Sequence, residues 1–250
     1  MIHYHGTPLG GTAVDASRFY KNRHAMVSFA HQDDMAIVAE TCQSFALDNG
    51  AFTFWKQGGG IVDVQSYLMW LRIWEKHPAF DWALIPDIID GEESDNDRLI
   101  DEWDFPKDKS VPVWHLHESL GRLQLLAHRW PRVALGSSGD FKTPSSDAWE
   151  KRMEVVMHTI CDPNGCPITR LHGLRMMSPI IINRFPFSSA DSTNAVRNSL
   201  FEQRFGMYPP ASRWQRATVI ADRIEAVYSP ATWDRDSQFE FEFWAESPND

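Results

Sequence analysis

The chain has 250 residues, 43% of them hydrophobic and 12% aromatic, and carries a formal net charge of −10. That is enough apolar material for one large domain, and its length suits a (β/α) barrel of about 250 residues. No apolar stretch approaches the ~20 residues needed to span a bilayer, no basic-then-apolar leader opens the chain, and three cysteines exclude a disulfide framework. A cytoplasmic protein is expected, with no membrane partner.

Short apolar segments recur at 2–5, 25–29, 44–47, 82–85, 111–116, 132–135, 168–171 and 185–190, each ending in polar or glycine residues. These eight segments are predicted strands. Amphipathic stretches between them predict helices. Residues 65–77 align Leu68, Leu71 and Trp74; 119–130 align Leu120, Leu123 and Ala127; and 147–160 align Trp149, Met153, Val156, Met157 and Ile160.

Strand–helix alternation repeated eight times closes most simply into a (β/α)8 TIM barrel, an α/β fold. A single catalytic domain is expected over 1–228, followed by an acidic C-terminal tail over 229–250. The connections among the first three strands are short for full helices, so the first units are expected to be irregular. Gly58-Gly59-Gly60 lacks the Gly-Lys-Ser/Thr that would make it a phosphate loop. In the tail, 238–243 alternates phenylalanine with polar residues as a strand does.

The charge is unevenly spread. Residues 81–104 hold ten acidic side chains and one arginine, and 229–250 hold six and one, so the remaining chain is net positive. Seven arginines (Arg170, Arg175, Arg184, Arg197, Arg204, Arg213 and Arg216) stand in 170–216 against Asp191 and Glu202. A local phosphate-binding face is compatible with the acidic total, and ordinary solvated helix positions would look the same.

Active sites of barrels lie at the C-terminal ends of the strands. The predicted ends gather His3 and His5, His31, Asp48, Asp87 with Asp90, His115 with His117, Gly136-Ser137-Ser138-Gly139, His172 and Asp191. Asp48 and Asp191 each stand where a strand-like segment gives way to a helix-like one. Two carboxylates far apart in sequence, brought together by a fold, are what glycosyl transfer needs. Cys161-x4-Cys166 lacks a second ligand pair, so no zinc site is expected there.

Asp48-Asn49-Gly50-Ala51-Phe52 resembles the Asp-Ser-Gly-Gly-Phe segment of tRNA-guanine transglycosylases, and Asp191 through Asn198 resembles their Asp-x-x-x-Pro-Thr-Arg-Asn-Ala-Arg-Asn segment. The chain is more similar still to the DNA-acting branch, the DpdA-type 7-deazaguanine transglycosylases of phages and bacteria. The shared features are His5-Gly6-Thr7-Pro8, Pro86-Asp87, Trp114-His115-Leu116-His117-Glu118, Ala134 to Gly139 and His172-Gly173-Leu174, colinear from residue 2 to about 200.

The resemblance implies exchange of guanine in DNA for a 7-deazaguanine base, preQ0 or a derivative, with the free base as co-substrate and no cofactor. Asp191 falls at the family's nucleophile and Asp48 at its general acid/base. Asp87, His115, Gly136, Ser137 and His172 fall at base-binding positions, with histidine at 115 where the tRNA enzymes have glutamine. Arg197, Arg204, Arg213 and Arg216 become the expected contacts to the nucleic-acid backbone. Phe52, Trp55 and Trp114 are candidates to stack on a flipped or flanking base. A phage-encoded enzyme would work in the host cytoplasm.

The family's cysteine-rich zinc site has no counterpart in this sequence, and its Pro-Thr-Arg is replaced near Thr193-Asn194-Ala195. Three alternatives stay open. One is a tRNA-acting transglycosylase, and another is a non-catalytic or other nucleotide-binding barrel. The third is a metal-dependent amidohydrolase, because His3-x-His5 at a first strand end has metal-ligand spacing. Oligomeric state and any need for protein partners are not legible.

Overall fold

The computed structural model describes residues 1–58 and 62–234. Nine strands, β1 (Ile2–Gly6), β2 (His24–Ser28), β3 (Ser44–Asp48), β4 (Phe80–Leu84), β5 (Ser110–Val111), β6 (Val113–His115), β7 (Arg132–Gly136), β8 (Arg170–Gly173) and β9 (Ser189–Ser192), form one sheet. Their order is β5-β4-β3-β2-β1-β9-β8-β7-β6, and every pairing is parallel.

The two ends of that order are one stretch of chain. β5 and β6 are halves of a single barrel strand interrupted at Pro112, which has no N–H to give to a ladder. The ladders continue across it nonetheless. Ile85 N–H donates to the Val111 carbonyl at 2.9 Å on one side, and Ala134 N–H donates to the Pro112 carbonyl at 3.0 Å on the other. The sheet therefore closes into an eight-stranded (β/α) barrel.

Helices α1 (Ala13–Tyr20), α2 (Met35–Thr41), α3 (Ala51–Lys56), α4 (Val64–Trp74), α5 (Glu93–Asp101), α6 (Leu120–Arg129), α7 (Asp147–Ile160), α8 (Pro179–Ile182), α9 (Asn194–Asn198) and α10 (Arg213–Glu225) surround it. The first two connections hold helices of eight and seven residues, so they are short but regular. The departures come later: two helices follow β3, and only one turn, α8, separates β8 from β9.

Helix ends follow local chemistry. Ser119 and Ser146 accept from the backbone of Arg122 and Trp149 to open α6 and α7, and Ser212 with Gln215 builds a capping box on α10. The five apolar positions read on 147–160 are all buried on α7.

Two strand boundaries move relative to the sequence reading. The segment 185–190 is not the strand itself: Phe185 and Phe187 pack in the outer core, and pairing begins at Ser189. The eighth barrel strand thus runs through Asp191 rather than ending before it. In β8 the pairing likewise shifts to Arg170–Gly173.

Side chains alternate across the sheet with period two. Tyr4, Met26, Ala46, Trp82, Leu84, Val111, Val113 and Ala134 fill the barrel. Their neighbours Phe45, Leu47, Val27, Trp114, Val133, Leu135 and Leu171 face the helices in two larger clusters. Inside, the Tyr4 hydroxyl donates to Asp81 at 2.6 Å and accepts from Trp82 Nε1 at 3.2 Å.

The expected tail lies mostly beyond the described residues, including its strand-like 238–243. Its first residues stay on the barrel: Trp233 is buried in the outer core, donates its N–H to Gly165 at 2.8 Å and meets His158 edge-on. Gly59 and Gly60 also lie outside the described residues. Among the described residues no helix is long and apolar enough to cross a membrane.

Candidate active site

Period two decides which side chains reach the barrel mouth. Ala46 fills the interior, so Asp48, two residues on, points inward at the end of β3. Val113 places His115 inward at the end of β6, and Ala134 does the same for Gly136 on β7. On β9, Ala190 packs against α10, which turns Ser189 and Asp191 inward. Four strands distant in sequence thereby deliver two carboxylates, an imidazole and a bare backbone to one rim.

Asp48 is the group most altered by this placement. Burial raises its carboxyl, the charges of Asp191 and Asp87 raise it further, and together they push it up to about 7. The chain then turns sharply through Gly50, whose φ of +82° lies in the left-handed region, and enters α3. The turn brings Asn49 back under the next loop. Its Nδ2 donates to the Ile85 carbonyl and to Asp87 Oδ1, both at 2.8 Å, while its Oδ1 accepts from the Ala51 amide.

Asp87 is held from both sides. Its other oxygen lies 2.8 Å from His115 Nε2. His115 stands against the glycine at 136, where a Cβ would come within 3.0 Å of Nδ1. Beneath it runs a buried network. Glu118 accepts from the His115 amide at 2.9 Å, from Asn96 at 3.0 Å and from Arg122 at 2.6 Å, and Asn96 accepts from the Ile88 amide. Through Asn96 the network holds the 86–90 loop, and through Glu118 it holds the His115 backbone.

Asp191 is only 8% exposed, so it is not a solvent-presented carboxylate. Its Oδ1 accepts from the Arg175 amide at 2.8 Å and lies 3.4 Å from His172 Nε2. His172 is wholly buried, its Nδ1 is 2.9 Å from Ser189 Oγ, and its ring packs edge-on against Trp82. Burial lowers its pKa against the opposing pull of Asp191, favouring the neutral ring. The base-binding role expected of His172 is corrected by this burial: the residue underpins Asp191 from below.

Family models, curated proteins and solved structures give no match to this chain.

The remaining expected residues divide by where they point. Ser137 turns away, accepting from Trp149 Nε1 at 2.9 Å, so only its backbone adjoins the mouth. Trp114 is fully buried on the helix side and donates to the Ser119 carbonyl; it cannot stack on a base, whereas Phe52 and Trp55 are exposed on α3. Arg197 and Arg204 are exposed beyond β9. Arg216 is buried and spends its donors on the carbonyls of Ser199, Pro210 and Ala211, with Glu202 at 2.9 Å. Arg213 reaches the Val196 carbonyl and Ser199 Oγ. These last two stitch the 196–211 segment to α10; the burial of Arg216 corrects its expected contact with nucleic acid, whereas Arg213 stays half-buried.

His3 and His5 flank the inward Tyr4 and so face outward. His3 Nε2 lies 2.8 Å from the Val227 carbonyl, and His5 Nε2 lies 2.7 Å from Glu225 Oε1, which also accepts from Arg23. Burial alone would raise the Glu225 carboxyl, yet His5 and Arg23 draw it below its usual value. A pair turned away from the mouth cannot ligate a metal there, which removes the feature that favoured an amidohydrolase. Among the described residues no group of three or more His, Cys, Asp or Glu side chains is arranged to hold a metal ion.

Three contributors escaped the sequence reading. Asn49 and Glu118 lay inside quoted motifs, and Arg175 lay in the arginine-rich segment, but which of them touch the carboxylates depends on the barrel. A groove of about 800 Å³ lined by Met1, Trp130, Arg170 and Phe187 opens at the opposite end and shares no residue with the mouth.

Proposed function

We propose that the protein exchanges guanine in DNA for a 7-deazaguanine base, preQ0 or a derivative, through a covalent aspartyl–glycosyl intermediate. The observation that carries this reading is the inward pair Asp48 and Asp191 at one barrel mouth, beside an Asp87 already bonded to His115. Two carboxylates working at one anomeric carbon suit a double displacement with retention. The colinear resemblance to the DNA-acting transglycosylases supplies the choice of substrate.

In this reading Asp191 attacks C1′ as the C1′–N9 bond breaks, and guanine leaves with the bonding pair and a proton from Asp48. The ionised Asp48 then removes the N9 proton of the incoming base. That nitrogen attacks C1′, expels Asp191 and restores the glycosidic bond. A carboxyl poised near 7 can give and take this proton at neutral pH. Asp87 accepts from the N–H edge of the purine, and His115 sets its orientation.

The test is incubation with DNA, or separately with tRNA, and candidate 7-deazaguanines, followed by mass analysis of digested nucleosides. A deazaguanine nucleoside in the DNA digest is expected. Its appearance only in tRNA would transfer the reading to the tRNA-acting branch. Its absence from both, with guanine retained, would overturn base exchange.

A further inference from the structure

Arg175 closes the mouth from above. It follows β8 with φ of +57°, a left-handed conformation that costs a side-chain-bearing residue and that glycine or asparagine adopts more cheaply. Its amide holds Asp191 Oδ1 at 2.8 Å. Its guanidinium carbon sits 3.9 Å from the centroid of the Phe52 ring, so the Arg175–Phe52 stack bridges the loop after β8 and the helix after β3. Asp191, Arg197 and Asp48 are the charges that act on it.

Stacking occupies one face of a guanidinium and leaves its N–H donors at the edge, in the plane. Among the described residues those donors make no hydrogen bond or ion pair. The surroundings say what they are for. Asp87 and Asp191 would repel a phosphodiester approaching the mouth, so an anionic polymer reaches them only past a cation. Arg175 is that cation, with Arg197 as a second charge beside it. An amide alone would serve Asp191 equally well from a glycine, so that hydrogen bond does not by itself account for a side chain at this strained position.

We infer that Arg175 grips the phosphodiester next to the target guanosine with the free edge of its Phe52-stacked guanidinium, and so delivers C1′ to Asp191. The inference rests on the nucleic-acid base-exchange reading above, and it adds a binding group that reading does not require.

The experiment is a cycle between protein and DNA. Binding is measured for a pool of duplexes with one guanine in randomised flanks, carrying either a phosphodiester or an uncharged methylphosphonate beside that guanine. Arg175→Gly is the variant, since glycine accepts the left-handed backbone and keeps the amide; Arg175→Lys retains charge without the planar fork. Wild type is expected to lose about tenfold or more in affinity on methylphosphonate, as for a lost charge-assisted hydrogen bond. Arg175→Gly should lose as much on ordinary DNA and little more on the modified DNA, with Arg175→Lys between. Additive losses, or ordinary affinity in Arg175→Gly, would overturn the grip. Base exchange on the same duplexes separates the two readings: exchange with additive losses leaves only the proposed function standing, and coupled losses without exchange leave only the grip.

Discussion

Asp87 and His115 meet across the barrel mouth, with Oδ2 of the aspartate 2.8 Å from Nε2 of the histidine. Asn49 holds the other oxygen of Asp87 at the same distance, so the carboxylate is aimed before any ligand arrives. Under the proposed base exchange, an acceptor aimed in advance would cost less ordering when the base binds.

His115→Ala should therefore leave Asp87 held by Asn49 alone and raise KM for the free base by about 10- to 100-fold, the worth of a hydrogen bond to a charged group. The kcat should fall less. His115→Gln should retain part of the contact and alter which 7-deazaguanine is preferred. Competition between bases in one reaction reads both effects. An unchanged KM in His115→Ala would remove Asp87–His115 from base binding.

Asp191→Asn should abolish exchange and the covalent adduct while the fold survives, because the amide oxygen can still accept from the Arg175 N–H. Denaturing gels of enzyme mixed with DNA report the adduct, and circular dichroism reports the fold. Exchange that persists in this variant removes Asp191 from the nucleophile's role.

Asp48 makes two predictions of pH dependence. In the proposed exchange Asp48 must be ionised to deprotonate the incoming purine, so the transfer step should accelerate as pH rises through about 7. Asp48→Asn should form the adduct slowly, lacking the proton donor for departing guanine, and then stall before transfer. Stability runs the other way. A carboxyl whose folded pKa is raised from 3.8 to about 7 supports the fold below pH 4 and loses that support as pH climbs to 7. Above pH 7 the ionised form costs on the order of a few kcal/mol, so Asp48→Asn should melt higher than wild type at pH 8 and lose that advantage near pH 4. Thermal melts across this range decide it.

The outward histidines predict stability effects without chemistry. His5→Ala removes a buried partner of Glu225 and should cost about 1.5–3 kcal/mol in denaturant unfolding. Exchange per folded molecule and metal content should match wild type. Stoichiometric metal lost on replacing His3 and His5 would revive the amidohydrolase alternative.

The arginines beyond β9 should separate in the same way. Arg204→Ala, exposed, should lower the dependence of log affinity on log salt by about one unit while leaving stability within about 0.5 kcal/mol. Arg216→Ala should unfold at lower denaturant, because it leaves the buried Ser199 carbonyl and the half-buried Pro210 carbonyl without their donor. A full salt slope in Arg204→Ala would argue against this rim as a phosphate contact.

Much of the barrel was legible because its signals are local. Apolar runs, polar ends and the buried face of α7 come from neighbours within one element, and Asp48, Asp87, His115 and Asp191 were found as strand-end residues in that way. The structure places His172, Trp114 and Arg216 elsewhere than expected. Neither a position near a strand end, for the first two, nor membership of an arginine-rich segment, for Arg216, says which way a side chain points, and these three point into core or onto backbone carbonyls. Arg175 was passed over because its neighbours, Phe52 and Asp191, come from other strands' loops.

What the chain determined by itself is the alternation of strands and helices and the types of residue at each rim position, since both follow from period and composition. Which member of each alternating pair on β1 and β9 faces the mouth was decided only when β1 paired with β2 and β9. A one-residue slip in that register would exchange Tyr4 for His3 and His5, and Ala190 for Asp191. Two outward histidines and an inward aspartate are thus one fact about strand pairing, settled by burying Tyr4 among Met26, Trp82 and Val113.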